Sequence, residues 1–268
     1  DRVGDFSYSA SLNLSHVKNR VDDLGYGQTA YLTSTSKSEI GQSLGMWYMY
    51  KMLGIFQSQE EINSYKNADG KVIQPNALPG DIKYDDYNGD GQISSEDRQI
   101  VGNPWPKLEM GFNFSASWRG IDFALNSYGR FGQEVYNGAA YAAGDFQNNQ
   151  NNFNGIVPWT QEHPVNDRPR IVYGDSRNTR GDQDRWLEDG SFFRISDITL
   201  GYSLPTRAIR KIGLEKVRFA VTGKNLVTFT KYSGLDPEFA DGGIWTIGYD
   251  GCSFPNPRAV QFAVSLTF

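Results

Sequence analysis

The chain has 268 residues, 38 % hydrophobic and 14 % aromatic, with a mean hydropathy of -0.54. It contains no apolar run of roughly 18 residues, which excludes a membrane-spanning helix but not a β-barrel, whose strands alternate apolar and polar residues. The net charge of -5 and pI of about 5.1 argue against nucleic acid as a partner. The lone Cys252 excludes an internal disulfide framework and a cluster of thiolate metal ligands.

The first predicted element is a strand over 6–14, where apolar residues alternate with serines and one asparagine. A short strand is predicted near 28–36. The segment 46–56 is β-prone but apolar on both faces, so the side that it buries cannot be assigned. The chain opens at Asp1 without an initiator methionine or a signal peptide, and we expect it to be the carboxy-terminal portion of a larger protein.

A long loop is predicted over 58–106, and its segment 86–97 matches an EF-hand-type calcium loop. Calcium prefers hard oxygen ligands, and the predicted ligands are Asp86, Asn88, Asp90, the carbonyl of Gln92, and Asp97. Aspartate instead of the usual closing glutamate resembles dockerin-type loops and predicts a weaker, structural site. The alternative is a polar turn held by side-chain-to-backbone hydrogen bonds. No organic cofactor is expected.

A hairpin follows, with alternating strands over 108–118 and 121–130 and a tight turn at Arg119-Gly120. Further strands are predicted over 192–204 and 217–227. In the first of these the apolar phase fails to reach back to Ile195, which predicts either a β-bulge or a strand that lies half outside its sheet. The last ten residues, 259–268, alternate without exception and end on Phe268, the aromatic ending typical of a strand that closes an outer-membrane barrel.

A second long loop is predicted over 133–190, and it carries residues suited to recognition. Aromatic faces stack on sugar rings and amides bond hydroxyls, so this loop and the one after it predict glycan contacts. The candidates are Phe146, Asn149, Trp159, Trp186, Trp245 and Tyr249. The alternative, given equal weight, is that these aromatic side chains pack the loops against each other.

The two long loops decide the predicted architecture. Structureless loops beyond about 15 residues are rare in compact domains, whereas barrels have short turns on one side and long loops on the other. Along the chain, short turns and long loops must alternate between the two ends of the barrel wall. Counted back from Phe268, they do so only if 17–44 contains an extra strand, so about eight wall strands are expected. No catalytic constellation is found: the two histidines are isolated, and no phosphate loop or nucleophile elbow is present. The chain is therefore predicted not to be an enzyme.

Several segments together resemble the SusC/RagA family. They are S-F-F-R-I-S-D-I-T-L-G-Y-S-L-P at 191–205, V-R-F-A-V-T-G-K-N-L at 217–226, Y-S-G-L-D-P-E at 232–238, G-I-F-Q at 54–57, G-D-I-K-Y at 80–84 and G-N-P-W-P at 102–106. Each motif is short, but their order and spacing are specific, and the resemblance covers essentially the whole chain.

The resemblance implies an all-β, antiparallel transmembrane barrel of about 22 strands filled by a plug, in the outer membrane of Bacteroidetes. Residues 1–268 would be its carboxy-terminal portion, with long extracellular loops and without the plug. Asn113, Ser115, Asn126 and Arg130 would face the lumen. The implied partners are a SusD-like surface lipoprotein, the rest of the barrel and the plug, the TonB complex through that plug, and outer-membrane lipid.

The implied activity is import, mainly of oligosaccharides, although some members of the family import peptides. A secreted β-sandwich that binds carbohydrate and holds a structural calcium loop is the alternative from another class, because its strands would also have one apolar face.

Overall fold

The structure is a computed structural model that describes residues 2–144, 152–172, 174–239, 243 and 246–268. Its strands are β1 (Arg2–Val3), β2 (Phe6–Ser15), β3 (Ala30–Leu32), β4 (Ser36–Glu39), β5 (Met46–Tyr50), β6 (Met52–Ile55), β7 (Ile82–Tyr84), β8 (Arg98–Gly102), β9 (Leu108–Trp118), β10 (Ile121–Phe131), β11 (Glu134–Asn137), β12 (Leu187–Asp189), β13 (Phe192–Ser203), β14 (Lys216–Thr230), β15 (Tyr249–Asp250) and β16 (Ala259–Thr267). The α-helices are α1 (Gln59–Ser64), α2 (Gly138–Gly144) and α3 (Thr206–Ile209), and single 3₁₀ turns span Ser95–Asp97, Asp184–Trp186 and Arg210–Ile212.

The wall of the molecule is one antiparallel sheet in the order β1-β2-β9-β10-β13-β14-β16. It has seven strands, not about eight, and β1 contributes only two residues. The predicted hairpin is confirmed: β9 and β10 pair around Arg119 and Gly120, which both have positive φ, as a two-residue type I′ turn requires. The sheet is open at both edges, as a segment of a barrel wall would be.

The alternating residues put one apolar face on this sheet. The strand register aligns Phe6, Trp118, Ile121, Tyr202, Phe219 and Val264 in a single row across it. All six side chains are exposed. Within the described residues no second sheet covers this face, which is the arrangement of a barrel wall and not that of a β-sandwich. The row lies beside the tight turns, and its four aromatic rings match the aromatic girdle of a transmembrane barrel.

The predicted wall strand near 28–36 is wrong. β3 and β4 lie there, but they join β5 and β8 in a separate four-stranded sheet. The segment 46–56 also leaves the wall, as β5 and β6. It is apolar on both faces because Trp47, Met49, Tyr50 and Ile55 are buried from both sides. Because neither the strand predicted near 28–36 nor the segment 46–56 belongs to the wall, β2 pairs directly with β9. The wall strands therefore still alternate in direction.

The predicted bulge is confirmed. The register of β13 shifts between Ile195 and Asp197 against both neighbouring strands, and the shift in β10 lies between Asn126 and Ser127. Ser196 is the extra residue, and its hydroxyl donates to the carbonyl of Asn126 at 3.2 Å. The bulge explains why the apolar phase of β13 breaks at this point.

Three long connections, 16–107, 132–191 and 231–258, all leave the same end of the wall, and their described residues fold together. We call them the cap. They share small sheets, among them β12-β11-β15, in which β11 from the second connection pairs in parallel with β15 from the third. One hydrophobic cluster of the cap joins Trp47 and Met49 to Tyr136 and Trp186. Within the described residues, no helix is long and apolar enough to span a membrane.

Candidate functional site

The polar face of the wall carries the residues expected to face a lumen. The register places Asn113 between Ser11 and Asn126, on the opposite face from the aromatic row. Hydroxyls pair across neighbouring strands: the Ser7 and Ser117 hydroxyl oxygens are 2.8 Å apart, and so are those of Thr199 and Thr222. Small hydroxyl side chains therefore pair across the strands of this face, and such groups can both donate and accept hydrogen bonds.

One ion pair crosses this face. The Nε of Arg218 on β14 donates to Asp122 on β10 at 2.9 Å, and both side chains pass over β13, which lies between the two strands. Gly201 occupies the crossing point, and a Cβ atom there would collide with both charged groups. A glycine is required because only a residue without a side chain leaves room for the bridge.

A buried arginine ties the cap to the wall. Arg194 on β13 is 2 % exposed, and its guanidinium binds the carboxylates of Asp236 and Glu238 in the third connection. The Glu238 contact is 2.7 Å, and the Arg194 Nε also donates to the Thr228 hydroxyl at 3.0 Å. Asp236 in turn accepts the backbone N–H of Asn256 at 2.9 Å. Sequence reasoning missed this cluster, since Arg194 lies more than 30 residues from each of its partners.

Trp186 and Trp159, two of the predicted glycan contacts, are packed inside the cap. Trp186 is 3 % exposed, and its indole N–H donates to the Arg180 carbonyl at 2.9 Å. Its role as a ligand contact stays a prediction. The half-buried Trp159 lies against Gly80, and its indole N–H donates to Gln57 Oε1 at 2.8 Å. The alternative, in which aromatic side chains pack the loops, fits both residues.

Tyr249 differs from the tryptophans because its ring is exposed. It stacks on Tyr136 with the ring centroids 5.0 Å apart and an interplanar angle of 11°. Tyr136 beneath it is 2 % exposed, so Tyr249 alone of this pair presents an aromatic ring on the surface of the cap. The other candidates, Phe146, Asn149 and Trp245, lie outside the described residues.

Phe268 follows the end of β16 and is 83 % exposed. It continues the apolar phase of Val260, Phe262, Val264 and Leu266. β16 pairs with β14 along one edge. Its role as the strand that closes the barrel stays a prediction.

The predicted calcium loop, 86–97, is closed by hydrogen bonds. Asp86 accepts the N–H groups of Gly89 and Gly91 at 3.0 and 2.9 Å. Asp97 is fully buried, and its two carboxylate oxygens accept the N–H groups of Tyr87 and Ser94 at 3.0 and 2.6 Å. The Asp97 carboxylate therefore binds backbone N–H groups rather than pointing towards a position where the predicted ligands could share a metal ion.

The remaining predicted ligands of this loop also take part in side-chain hydrogen bonds. Asn88 and Asp90 each accept a backbone N–H two residues later, and the side chain of Gln92 donates to Asp90. Within the described ranges, no group of three or more His, Cys, Asp or Glu side chains is placed to hold a metal. The arrangement fits the polar-turn alternative, and calcium binding by this loop stays a prediction.

Replacing Asp97 with asparagine is expected to loosen the loop even in the presence of a calcium chelator. Asparagine keeps one acceptor oxygen but turns an amide donor towards a backbone N–H, and an unsatisfied buried donor costs about 1–3 kcal/mol. Hydrogen exchange at the amides of Tyr87 and Ser94 should accelerate roughly tenfold or more. Exposed Asp69→Asn is the control. Acceleration that occurs only with calcium present would contradict the hydrogen-bonded role and support a metal ligand.

The stability of the cap is expected to depend on pH through Asp184. Burial raises the pKa of its carboxyl, which accepts the Met52 N–H at 2.9 Å; nearby Lys51 opposes the rise and Asp85 adds to it. A raised folded-state pKa means that the neutral acid is favoured in the folded protein. The contribution of this carboxyl to the free energy of unfolding is therefore fully present below its ordinary pKa of about 4. It is lost as the pH rises through the pKa of Asp184 in the folded protein.

We therefore expect Asp184→Asn, which is neutral at every pH and retains an acceptor for Met52, to gain stability relative to the native chain as the pH rises from about 4 to 7. Thermal unfolding of both proteins across that range measures the difference. A constant difference would show that Asp184 titrates normally.

The chain is similar to known receptors along its whole length. It is 32 % identical to TonB-dependent receptor P26 and 30 % identical to TonB-dependent receptor P3, both of Formosa agariphila, over 100 % and 98 % of this chain. It is 24 % identical to TonB-dependent receptor SusC of Bacteroides thetaiotaomicron over 98 % of this chain. The chain spans only 28, 27 and 24 % of these three relatives. No protein-family model matches it.

Solved structures share the fold. The RagAB peptide transporter superimposes with a TM-score of 0.77 at 20 % identity, over 100 % of this chain and 28 % of the other. The RagAB peptide importer in its closed-closed state gives 0.76 at the same identity and coverage. The open two-faced sheet therefore corresponds to part of a barrel wall, and the chain belongs to the SusC/RagA family of TonB-dependent receptors, β-barrel proteins of the outer membrane.

Proposed function

We propose that this chain forms wall strands and the outer cap of a transporter that imports oligosaccharides across the outer membrane. The observation that carries the proposal is the two-faced wall, with an apolar face for lipid, a small polar face for a lumen, and every long connection at one end. A plug elsewhere in the protein would couple import to the TonB complex. No catalytic role is proposed, and the relatives are named as receptors.

The cap is the proposed contact surface for a SusD-like lipoprotein. Its folded sheets and buried aromatic clusters give a rigid surface on which a lid can close. The exposed ring of Tyr249, which stacks on the buried Tyr136, favours a glycan as the substrate, because an exposed aromatic face suits a sugar ring. Peptide import is the second candidate, favoured by the fold shared with RagAB, which is named a peptide transporter.

The test is to purify the transporter that contains this chain from native outer membranes in detergent and to identify what co-purifies. We expect a surface lipoprotein, and we expect the complex to bind oligosaccharides in calorimetric titrations. A complex that binds peptides and no oligosaccharide would replace the first candidate with the second. A protein extracted without detergent, with no lipoprotein, would overturn the proposal.

A further inference from the structure

A cavity of about 220 Å³ lies where the polar face of the wall meets the cap. Its floor is the pair next to the end of the β9–β10 ladder, Glu109 opposite Arg130 on the polar face. Val17 and Trp105 of the first connection and Phe239 of the third also line it. A solute moving between the cap and the polar face would pass this cavity.

Two fixed aromatic rings form part of its wall. The indole N–H of Trp105 donates to the Leu44 carbonyl at 2.7 Å, which holds the ring in place. Phe239 packs beside Tyr232, with ring centroids 6.3 Å apart. Pro104 and Pro106 border Trp105 and add stiff apolar surface. These rings would not need to be ordered on binding, which lowers the entropic cost for a ligand.

The polar groups of the cavity include an acceptor without a donor. Gln133 is 5 % exposed, and its Nε2 donates to the Gly190 carbonyl at 2.6 Å, which fixes the orientation of the amide. The remaining amide oxygen, Oε1, is buried and has no hydrogen-bond partner in the described structure. An unsatisfied buried acceptor is costly, and a ligand that displaces the groups covering Oε1 and donates to it would remove that cost.

The carboxylates beside the cavity also favour a ligand that donates hydrogen bonds. Arg130 Nε contacts Glu109 at 2.9 Å, and both side chains are partly exposed. Glu238 accepts from the buried Arg194 at 2.7 Å and from the Asn256 amide at 3.1 Å. A carboxylate has about four acceptor positions, so both glutamates keep some acceptor capacity, and the Arg130 guanidinium keeps further donors. The cavity therefore offers several acceptors, some donors and two aromatic rings within one small volume.

We propose that this cavity is a binding subsite for a single sugar ring of the transported glycan. The ring's C–H surface would pack on Trp105 and Phe239, and its hydroxyls would donate towards Gln133 and the two glutamates. About 220 Å³ is below the usual range of roughly 300–1,000 Å³ for larger ligands, so the subsite takes one ring and not a whole oligosaccharide. This inference rests on the proposed function.

The test uses the full-length transporter in detergent, with the methyl glycosides of glucose, galactose and mannose as probes and affinities from saturation-transfer NMR. Val17→Trp fills the cavity from its rim, where Val17 is 55 % exposed and the fold should tolerate the change. Val157→Trp is the matched control, because Val157 is also 55 % exposed but does not line the cavity. Gln133→Met removes the acceptor while keeping most of the side-chain volume.

At least one glycoside is expected to bind. Val17→Trp and Gln133→Met should each weaken that binding roughly tenfold or more, the loss expected for one blocked or unsatisfied contact, while Val157→Trp should leave it within about twofold. Glycoside binding that neither Val17→Trp nor Gln133→Met weakens would overturn the subsite and leave glycan import standing. A transporter that takes up labelled peptides and binds none of the glycosides would overturn glycan import itself, and the subsite with it.

Discussion

Replacing Arg194 with methionine is expected to destabilise the junction between cap and wall by about 3–5 kcal/mol, because removal of one partner leaves buried charges unpaired. The Asp236 side chain is 6 % exposed and would lose the guanidinium that neutralises it. Glu238, 30 % exposed, can turn partly towards water. The third connection should therefore detach from the wall before the wall itself unfolds.

Hydrogen exchange and limited proteolysis of 231–258 measure this detachment in the full-length transporter. Arg20→Met is the matched control, since Arg20 pairs with Asp22 in a bridge whose side chains are 68 and 78 % exposed, and such pairs contribute about 0–1 kcal/mol. Adding Asp236→Leu to Arg194→Met should recover part of the loss by removing a stranded carboxylate. Equal protection of the third connection in Arg194→Met and the native protein would show that other contacts hold it.

The wall could be predicted because its signal is local. An alternation with period two, as in β9 and β16, identifies a two-faced strand without any knowledge of its neighbours. Even the bulge in β13 was visible, since one extra residue shifts the phase at Ile195. The same method failed for 46–56, because a segment buried on both sides has no alternation to detect.

The cap could not be predicted in the same way. Its strands are short, and pairs such as β11 with β15 join residues more than 100 positions apart. Whether an aromatic side chain in a loop is buried depends on such pairings. Trp186 and Tyr249 both lie in predicted loops, yet Trp186 is buried in a core and Tyr249 is exposed. The clusters around Arg194 and Gln133 likewise need residues that only the fold brings together.

Because the two faces of the wall differ in environment, a charge introduced at two adjacent positions of β16 is expected to lower stability by different amounts. Phe262, 83 % exposed, lies on the apolar face opposite Val221, near the middle of the strand. Gln261 lies on the polar face opposite Thr222. An arginine on the lipid face of a barrel near the bilayer midplane costs about 2–4 kcal/mol, whereas one on the lumen face meets polar groups and water.

Phe262→Arg is therefore expected to lower the stability of the full-length barrel by about 2–4 kcal/mol, and Gln261→Arg by less than about 1 kcal/mol. Urea titration of the refolded protein in phospholipid vesicles, followed by the mobility of the folded form in gels, measures both. The two substitutions add the same side chain to neighbouring residues of one strand, so strand propensity and net charge largely cancel in the comparison. Equal losses would mean that the faces do not differ in environment, and a larger loss for Gln261→Arg would reverse the assignment of lipid and lumen.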